Sequence, residues 1–219
     1  MSGSGPGAFP YIAVEGPIGV GKSTVVERLA ERLDAHTLLE PWAENPFLRA
    51  FYDGKPGASF QVELFFLLSR YRQQQELTQR KLFSHHTIAD YVFEKSRLFA
   101  YLNLDDAELL IYEKLFALLA ETVPRPDLVI YLQAPTEVLM RRIRGRGRPE
   151  ETSLSEEYLA EVNRAYNHYF FHYSQTPLLV VNTADVDFAT RAPDVDDLLR
   201  QIRGMGRGTQ YYVPQGGRS

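Results

Sequence analysis

Cysteine is absent from the 219 residues of this chain, which excludes disulfide bonds and thiolate metal sites. No apolar run approaches the roughly 20 residues that a membrane-spanning helix needs. The N-terminal segment MSGSGPGAF also lacks the apolar centre of a signal peptide. The net charge of −4 disfavours a general nucleic-acid-binding protein. We therefore expect a cytoplasmic protein that binds neither membranes nor nucleic acids.

Strand-like and helix-like segments alternate along the chain, which predicts an α/β fold with a parallel sheet of about five strands and helices on both faces. The predicted strands are 11–14, 37–39, 86–89, 128–132 and 178–181. The predicted helices beyond the first are 60–80, 105–122, 135–144 and 156–174. Together they form one domain over residues 10–203, and the glycine-rich ends 1–9 and 204–219 are predicted to be flexible tails.

The segment VEGPIGVGKST matches the phosphate-binding pattern G-x-x-x-x-G-K-[ST] without deviation. It follows an apolar, strand-like run and precedes apolar residues at helical spacing, as such a P-loop requires. Backbone N–H groups and the positive end of the helix dipole would attract phosphate oxygens, Lys22 would reach the β- and γ-phosphates, and Ser23 would bind Mg²⁺. The predicted nucleotide-binding residues are Gly16, Pro17, Ile18, Gly19, Val20, Gly21, Lys22, Ser23 and Thr24.

A carboxylate follows each of two further predicted strands, Glu40 after 37–39 and Asp90 after 86–89. Ligands of open parallel sheets collect beyond the carboxyl ends of the strands. One carboxylate could accept a proton from an attacking hydroxyl, and the other could hold Mg²⁺ through water. Acidic residues are also common at strand ends for structural reasons, and the pair beside a P-loop favours the functional interpretation.

The segment 141–148 contains five arginines in eight residues, interrupted by two glycines. A basic helix end and a nucleic-acid patch are alternative interpretations, and the acidic net charge disfavours the second. A mobile lid whose arginines neutralise charge on the transferred phosphoryl group suits a P-loop protein best.

These motifs together resemble the deoxynucleoside kinase family over about residues 10–202, and most closely its bacterial deoxyguanosine kinase branch. The stretches that carry the resemblance are VEGPIGVGKST, LLEPWAENPFL, SFQVELFFLLSRYRQ, IADYVFEKSRLFA, PDLVIYLQAP and RIRGRGRPEE. The resemblance implies a P-loop kinase fold, ATP and Mg²⁺, deoxyguanosine as the acceptor, and a homodimer.

The resemblance also implies roles for individual residues. Glu40 would be the general base for the nucleoside 5′-hydroxyl, and Tyr52 with Glu151 would hold the sugar 3′-hydroxyl, Tyr52 also crowding the 2′ position. Glu63 and Arg70 fall at the base-reading positions. The lid arginines would be Arg142, Arg146 and Arg148.

One motif departs from the pattern of many family members, which carry acidic-Arg-Ser after the third strand. This chain has Asp90-Tyr91-Val92 there. Asp90 corresponds to the acidic residue associated with Mg²⁺, and the arginine is missing. Lys95 is the candidate to replace it.

The choice of base can be argued from the residues themselves. Glu63, Phe66, Leu67 and Arg70 lie at i, i+3, i+4 and i+7, so the carboxylate and the guanidinium share one helical stripe with large apolar neighbours. A solvated surface pair is the alternative. A carboxylate only accepts hydrogen bonds, and guanine offers adjacent donors at N1 and N2, whereas adenine and cytosine place an acceptor beside their amino group. Arginine complements guanine O6 and N7, so the pair predicts guanine or hypoxanthine.

Several other functions remain as alternatives. A kinase of the same fold could act on deoxyadenosine, on several deoxynucleosides, or on a nucleoside monophosphate, although Glu63 disfavours adenine and Glu40 would repel an acceptor phosphate. Residues 182–185 superficially resemble the guanine reader of a regulatory GTPase, but they lack its lysine, and the chain has no D-x-x-G motif. A non-catalytic P-loop protein is disfavoured by the intact Lys22, Ser23 and Glu40.

Overall fold

The fold is a parallel β-sheet covered by helices on both faces. A computed structural model describes residues 9–80, 86–186 and 188–214, and within these ranges the sheet has six strands. The strands are β1 (Tyr11–Glu15), β2 (His36–Leu38), β3 (Thr87–Ala89), β4 (Leu128–Gln133), β5 (Leu178–Asn182) and β6 (Thr209–Tyr212). Their order across the sheet is β2-β3-β1-β4-β5-β6, and each neighbouring pair is parallel.

The helices alternate with these strands along the chain. They are α1 (Lys22–Leu33), α2 (Leu48–Tyr52), α3 (Ala58–Arg80), α4 (Lys95–Asn103), α5 (Asp106–Ala120), α6 (Thr136–Arg146), α7 (Glu156–Phe171) and α8 (Ala192–Gly204), with 3-10 turns at Trp42–Glu44 and Pro149–Glu151. In the described part of the chain, none of them has the length and apolar character needed to cross a membrane.

The sheet is buried on both faces because successive side chains of a strand point to opposite sides. Ile12 and Val14 of β1 pack in a cluster with α1, α6 and α8, whereas Ala13 packs in a second cluster with α4 and α7. Since β2, β3 and β1 are neighbours, the segments that leave their carboxyl ends lie side by side. Those segments carry Glu40, Asp90 and the P-loop.

The structure agrees with most of the predicted elements and adds others. The four predicted helices correspond to α3, α5, α6 and α7 with ends that differ by three residues at most. The sheet has a sixth strand where about five were predicted, and β6 lies in the segment predicted to be a flexible tail. That prediction does not hold for Thr209–Tyr212, because β6 pairs with β5. The predicted tail 1–9 falls outside the described residues except for Phe9.

Candidate active site

The P-loop joins β1 to α1 and packs closely against α6. Gly19 has φ +83°, and a Cβ there would lie 2.7 Å from Ile143 Cγ1 and 2.9 Å from the Leu139 carbonyl oxygen. Only glycine fits this position, because a side chain would be both strained and in collision. Lys22 begins α1 and donates through Nζ to the carbonyl oxygens of Gly16 (2.7 Å) and Pro17 (3.1 Å). Its withdrawal from water, with Lys95 nearby, lowers the pKa of Lys22 to about 8.

Asp90 links the P-loop helix to the segment after β2. Ser23 Oγ donates to Asp90 Oδ2 at 2.9 Å, and the Glu40 backbone N–H donates to Asp90 Oδ1 at 2.7 Å. Burial raises the pKa of Asp90, and the charge of Glu40 adds to that effect. The structure therefore brings the two predicted Mg²⁺ residues, Ser23 and Asp90, into direct contact beside Glu40.

Glu40 lies in a buried cluster with two cations. Arg70 Nε donates to Glu40 Oε1 at 2.7 Å with Nη2 at 2.5 Å from the same oxygen, and Lys95 Nζ donates to Oε2 at 3.0 Å. Burial by itself would raise the pKa of Glu40, but the charges of Arg70 and Lys95 outweigh it and lower the pKa to about 2. Glu40 is thus ionised throughout the neutral pH range.

A cavity of about 260 Å³ extends from the P-loop past Glu40 to α3. The predicted site residues that line it are Ile18, Gly19, Gly21, Lys22, Ser23, Thr24, Glu40, Tyr52, Glu63, Arg70, Asp90, Lys95, Arg146, Arg148 and Glu151. Its apolar wall includes Trp42, Phe66 and Tyr158. The cavity therefore unites nearly all of the residues that the sequence pointed to.

Glu63 lies at the α3 side of the cavity with only 2% of its surface exposed. Asn103 Nδ2 donates to Glu63 Oε1 at 2.7 Å, while Oε2 is buried and has no hydrogen-bond partner among the described residues. Burial raises the pKa of Glu63 to about 7, against the hydrogen bond from Asn103 and the charge of Arg70. Oε2 is therefore an atom to which a ligand in the cavity could hydrogen-bond.

The segment after α6 closes the cavity on the side of Tyr52. Arg146 Nε donates to Glu151 Oε2 at 2.9 Å, with a second, shorter contact between Nη2 and Oε1. Arg148 lies 3.8 Å from Glu151 and places its guanidinium over the Trp42 ring at 3.7 Å from the centroid. Burial raises the pKa of Tyr52, and the neighbouring Glu151 carboxylate adds to this. Arg146, Arg148, Glu151 and Tyr52 thus share one wall.

Arg142 is not brought into the cavity with the other predicted lid arginines. It donates to the carbonyl oxygens of Val20 (3.2 Å), Thr183 (2.6 Å) and Val186 (3.3 Å). These hydrogen bonds connect the P-loop, through Arg142, to the segment after β5. Arg142 therefore stabilises the P-loop in this structure without lining the cavity.

Two polar residues that hydrogen-bond to the charged side chains of the cavity were missed by the sequence analysis. Ser96 Oγ accepts a hydrogen bond from Arg70 Nη1 at 2.8 Å, and Asn103 donates to Glu63. Both belong to α4, which was not predicted as a helix. Lys95, the first residue of α4, is the one part of that helix that the sequence indicated.

Known proteins resemble this chain over nearly its whole length. The profile of the deoxynucleoside kinase family matches residues 12–205. A deoxyguanosine kinase from Bacillus subtilis is 36% identical, with 90% of this chain and 97% of the relative covered. A deoxyadenosine/deoxycytidine kinase from the same bacterium is 30% identical, with 89% and 92% covered. The solved structure of M. mycoides deoxyadenosine kinase with bound dATP superposes with a TM-score of 0.72 at 25% identity, covering 88% of this chain and 98% of the other.

A P-loop at the end of a central parallel strand, beside buried carboxylates and a cavity, defines a phosphotransferase of the P-loop kinase fold. Within that class, the chain belongs to the deoxynucleoside kinase family, which confirms the resemblance found in the sequence. Relatives of similar identity act on different bases according to their names. The names of the relatives therefore do not settle which base this chain accepts.

Proposed function

We propose that this kinase is a cytoplasmic deoxyguanosine kinase of purine deoxynucleoside salvage, which transfers the γ-phosphoryl group of ATP to the 5′-hydroxyl of deoxyguanosine to give dGMP. The observation that supports guanine is the buried Glu63 Oε2, which lacks a hydrogen-bond partner among the described residues. An unpaired buried acceptor is costly, so a ligand that supplies a donor there gains affinity. Guanine supplies two adjacent donors, N1–H and N2–H₂, to one carboxylate.

Arg70 is the second proposed base reader, although it also supports Glu40. A guanidinium has five N–H donors, and Glu40 and Ser96 engage three of its nitrogen atoms through one contact each. The remaining N–H groups on its two terminal nitrogens are the proposed donors to guanine O6 and N7. Arg70 would then join the base-binding and catalytic halves of the cavity.

The P-loop end of the cavity suits a triphosphate with Mg²⁺. The amino end of α1 and the Lys22 ammonium favour phosphate oxygens. Mg²⁺ prefers oxygen ligands, and the contacting Ser23 hydroxyl and Asp90 carboxylate provide them. Mg²⁺ held there would neutralise charge on the β- and γ-phosphates. Arg146 and Arg148 are the proposed lid arginines for the same charge, since both line the cavity.

Glu40 is proposed to orient the 5′-hydroxyl and to accept its proton. The transition state of phosphoryl transfer is loose, so the nucleophile needs orientation more than early loss of its proton. An ionised carboxylate of low basicity is adequate for that task. Lys95 contacts Glu40 at 3.0 Å, which supports it as the replacement for the arginine that is missing after Asp90. Tyr52 and Glu151 are proposed to hold the 3′-hydroxyl.

The first test is ATP-dependent phosphorylation of each of the four deoxynucleosides by the wild type and by Glu63→Gln. We expect the wild type to prefer deoxyguanosine, and the variant to lose about 10- to 100-fold in kcat/KM for deoxyguanosine while gaining activity on deoxyadenosine or deoxycytidine. Glu76→Gln, at an exposed carboxylate of the same helix, is the matched control. A wild type that prefers deoxyadenosine would refute the choice of guanine and leave the kinase intact.

Deoxyadenosine is the second candidate acceptor. The pKa of Glu63, raised to about 7, allows a protonated carboxyl that could donate to adenine N1. Among the relatives, deoxyadenosine kinases also match this chain. The same panel of substrates separates the two candidates. If no deoxynucleoside is phosphorylated, a nucleoside monophosphate acceptor is the next to test.

A homodimer remains part of the proposal. Leu110, Ile111 and Leu118 on α5 are 60%, 54% and 68% exposed, which is unusual for large apolar side chains of one helix. Burial of this face against a second copy would remove it from water. Sedimentation of the wild type as a monomer at micromolar concentration would contradict the dimer.

A further inference from the structure

We propose that Asn103 is a positioning residue for base selection, whose donation to Glu63 Oε1 holds the carboxyl group in the acceptor-only state that selects guanine, so that its loss opens the same cavity to adenine. This inference rests on the proposed function and deepens it. Asn103 is the last residue of α4 and does not line the cavity, so it would act through Glu63 rather than by touching the base.

The position of Asn103 is well defined by its neighbours. Its Nδ2 donates to Glu63 Oε1 at 2.7 Å, and its side chain also opposes the rise in the pKa of Tyr158, a residue of the cavity wall. The hydrogen bond leaves Oε2 as the oxygen without a partner among the described residues. Any proton taken up by Glu63 would therefore lie on Oε2, because Oε1 already accepts from Asn103.

Few other interactions stabilise the ionised form of the Glu63 carboxyl group. The cations that lower the pKa of Glu63 are Arg70 and Lys95, and both form ion pairs with Glu40. Burial raises the pKa of Glu63 to about 7, and the hydrogen bond from Asn103 is the largest of the influences that lower it, ahead of the charge of Arg70. The titratable and charged groups of the surrounding elements that interact electrostatically with Glu63 are Glu40, Tyr52, Arg70, Lys95, Tyr112 and Tyr158.

The two states of the carboxyl group fit different purines. An ionised carboxylate accepts from guanine N1–H and N2–H₂ and is repelled by the adenine N1 lone pair. A protonated carboxyl offers one donor beside one acceptor, which matches adenine N1 and N6–H₂. The proton is exchanged with solvent and no covalent step is involved. Preference between the purines thus depends on whether Oε2 carries a proton.

The decisive experiment measures the ratio of kcat/KM for deoxyguanosine to that for deoxyadenosine, with both nucleosides competing in one reaction, from about pH 5.5 to 9. Effects of pH on the shared phosphate-transfer groups cancel in this ratio. For the wild type we expect the ratio to fall as the pH is lowered through about 7, as the pKa of Glu63 requires. For Asn103→Leu we expect the same fall about one pH unit higher, and about a tenfold lower ratio near neutral pH.

Two controls make the result specific. Glu63→Gln cannot titrate, so its ratio should not change with pH. Tyr101→Leu, at an exposed residue of the same helix, should reproduce the wild-type profile. If Asn103→Leu fails to fold, a pH-independent wild-type ratio would still overturn the inference.

An Asn103→Leu profile that coincides with the wild type would also overturn it. These outcomes differ from failure of the proposed function. The proposed function would fail if no deoxynucleoside were phosphorylated, or if the wild type preferred deoxyadenosine at every pH tested, and the inference would fall with it.

Discussion

Replacement of Glu40 by glutamine should destabilise the protein as well as inactivate it. Arg70 and Lys95 are 1% and 6% exposed, and both depend on the Glu40 carboxylate for their ion pairs. Glu40→Gln keeps the size of the side chain but leaves these two cations buried next to each other. Breaking a buried ion pair by removing one partner typically costs about 3–5 kcal/mol.

The pKa of Glu40 gives an independent estimate of the same free energy. A pKa lowered from 4.5 to about 2 in the folded state corresponds to about 3 kcal/mol of stability. Because the pKa is lower in the folded than in the unfolded state, this stability is present in full above pH 4.5 and is lost as the pH falls toward 2. The two estimates agree that the loss in Glu40→Gln at neutral pH is about 3 kcal/mol.

Urea unfolding at about pH 7.5, followed by circular dichroism, measures this change as a lower midpoint at unchanged slope. The double variant Glu40→Gln/Lys95→Met removes one of the two cations that Glu40→Gln leaves without an ion pair, so it should regain part of the lost stability. Neither variant should recover kinase activity, which we expect to fall by about 10²- to 10⁴-fold without the proton acceptor. Unfolding of Glu40→Gln at the wild-type midpoint would refute the electrostatic reasoning. So would a double variant less stable than the single one.

Two further predictions concern the phosphate end of the cavity. The methyl group of Gly19→Ala should collide with α6 and weaken ATP binding by at least about tenfold. Gly54→Ala is the control, because Gly54 has φ +69° and no neighbouring atom within 4 Å of an added Cβ, so this variant should lose about 1 kcal/mol of stability without a change in ATP binding. Equal ATP affinities of the two variants would contradict the packing argument. Trp42 is the single tryptophan of the chain and lies under Arg148. ATP should change its fluorescence in the wild type by drawing Arg148 toward the phosphates, and an equal change in Arg148→Met would show that Arg148 is not responsible.

The sequence was sufficient to predict those parts of the site that depend on local pattern. The P-loop and the carboxylates after β2 and β3 are short-range signals, and the parallel sheet places them together. The directions of long side chains are not local. Arg70 lies on one helical stripe with Glu63, yet its guanidinium turns to Glu40, because α3 passes within reach of both carboxylates. The sequence does not distinguish Arg142 from the other lid arginines. Its partner, the Thr183 carbonyl oxygen, lies in the segment after β5, which is distant in sequence.

The missed helices have different explanations. No glycine or proline lies between residues 87 and 123, so no break marks the start of α4 between β3 and the predicted helix 105–122. The sequence does carry a signal for α8. Pro193 lies in its first turn, and its buried apolar residues Val195, Leu198, Leu199 and Ile202 recur at helical spacing.

The last strand of the sheet also protects its neighbour. Without β6, the unpaired backbone of β5 would form the rim of the sheet, and four of the five β5 residues are buried. An exposed apolar rim of that kind invites pairing with other chains and aggregation. The strand that replaces it at the edge is only four residues long, alternates exposed with half-buried side chains, and is followed by Pro214, which cannot donate to a further strand. Thr209–Tyr212 thus covers the backbone edge of β5, several strands away from the P-loop and the cavity.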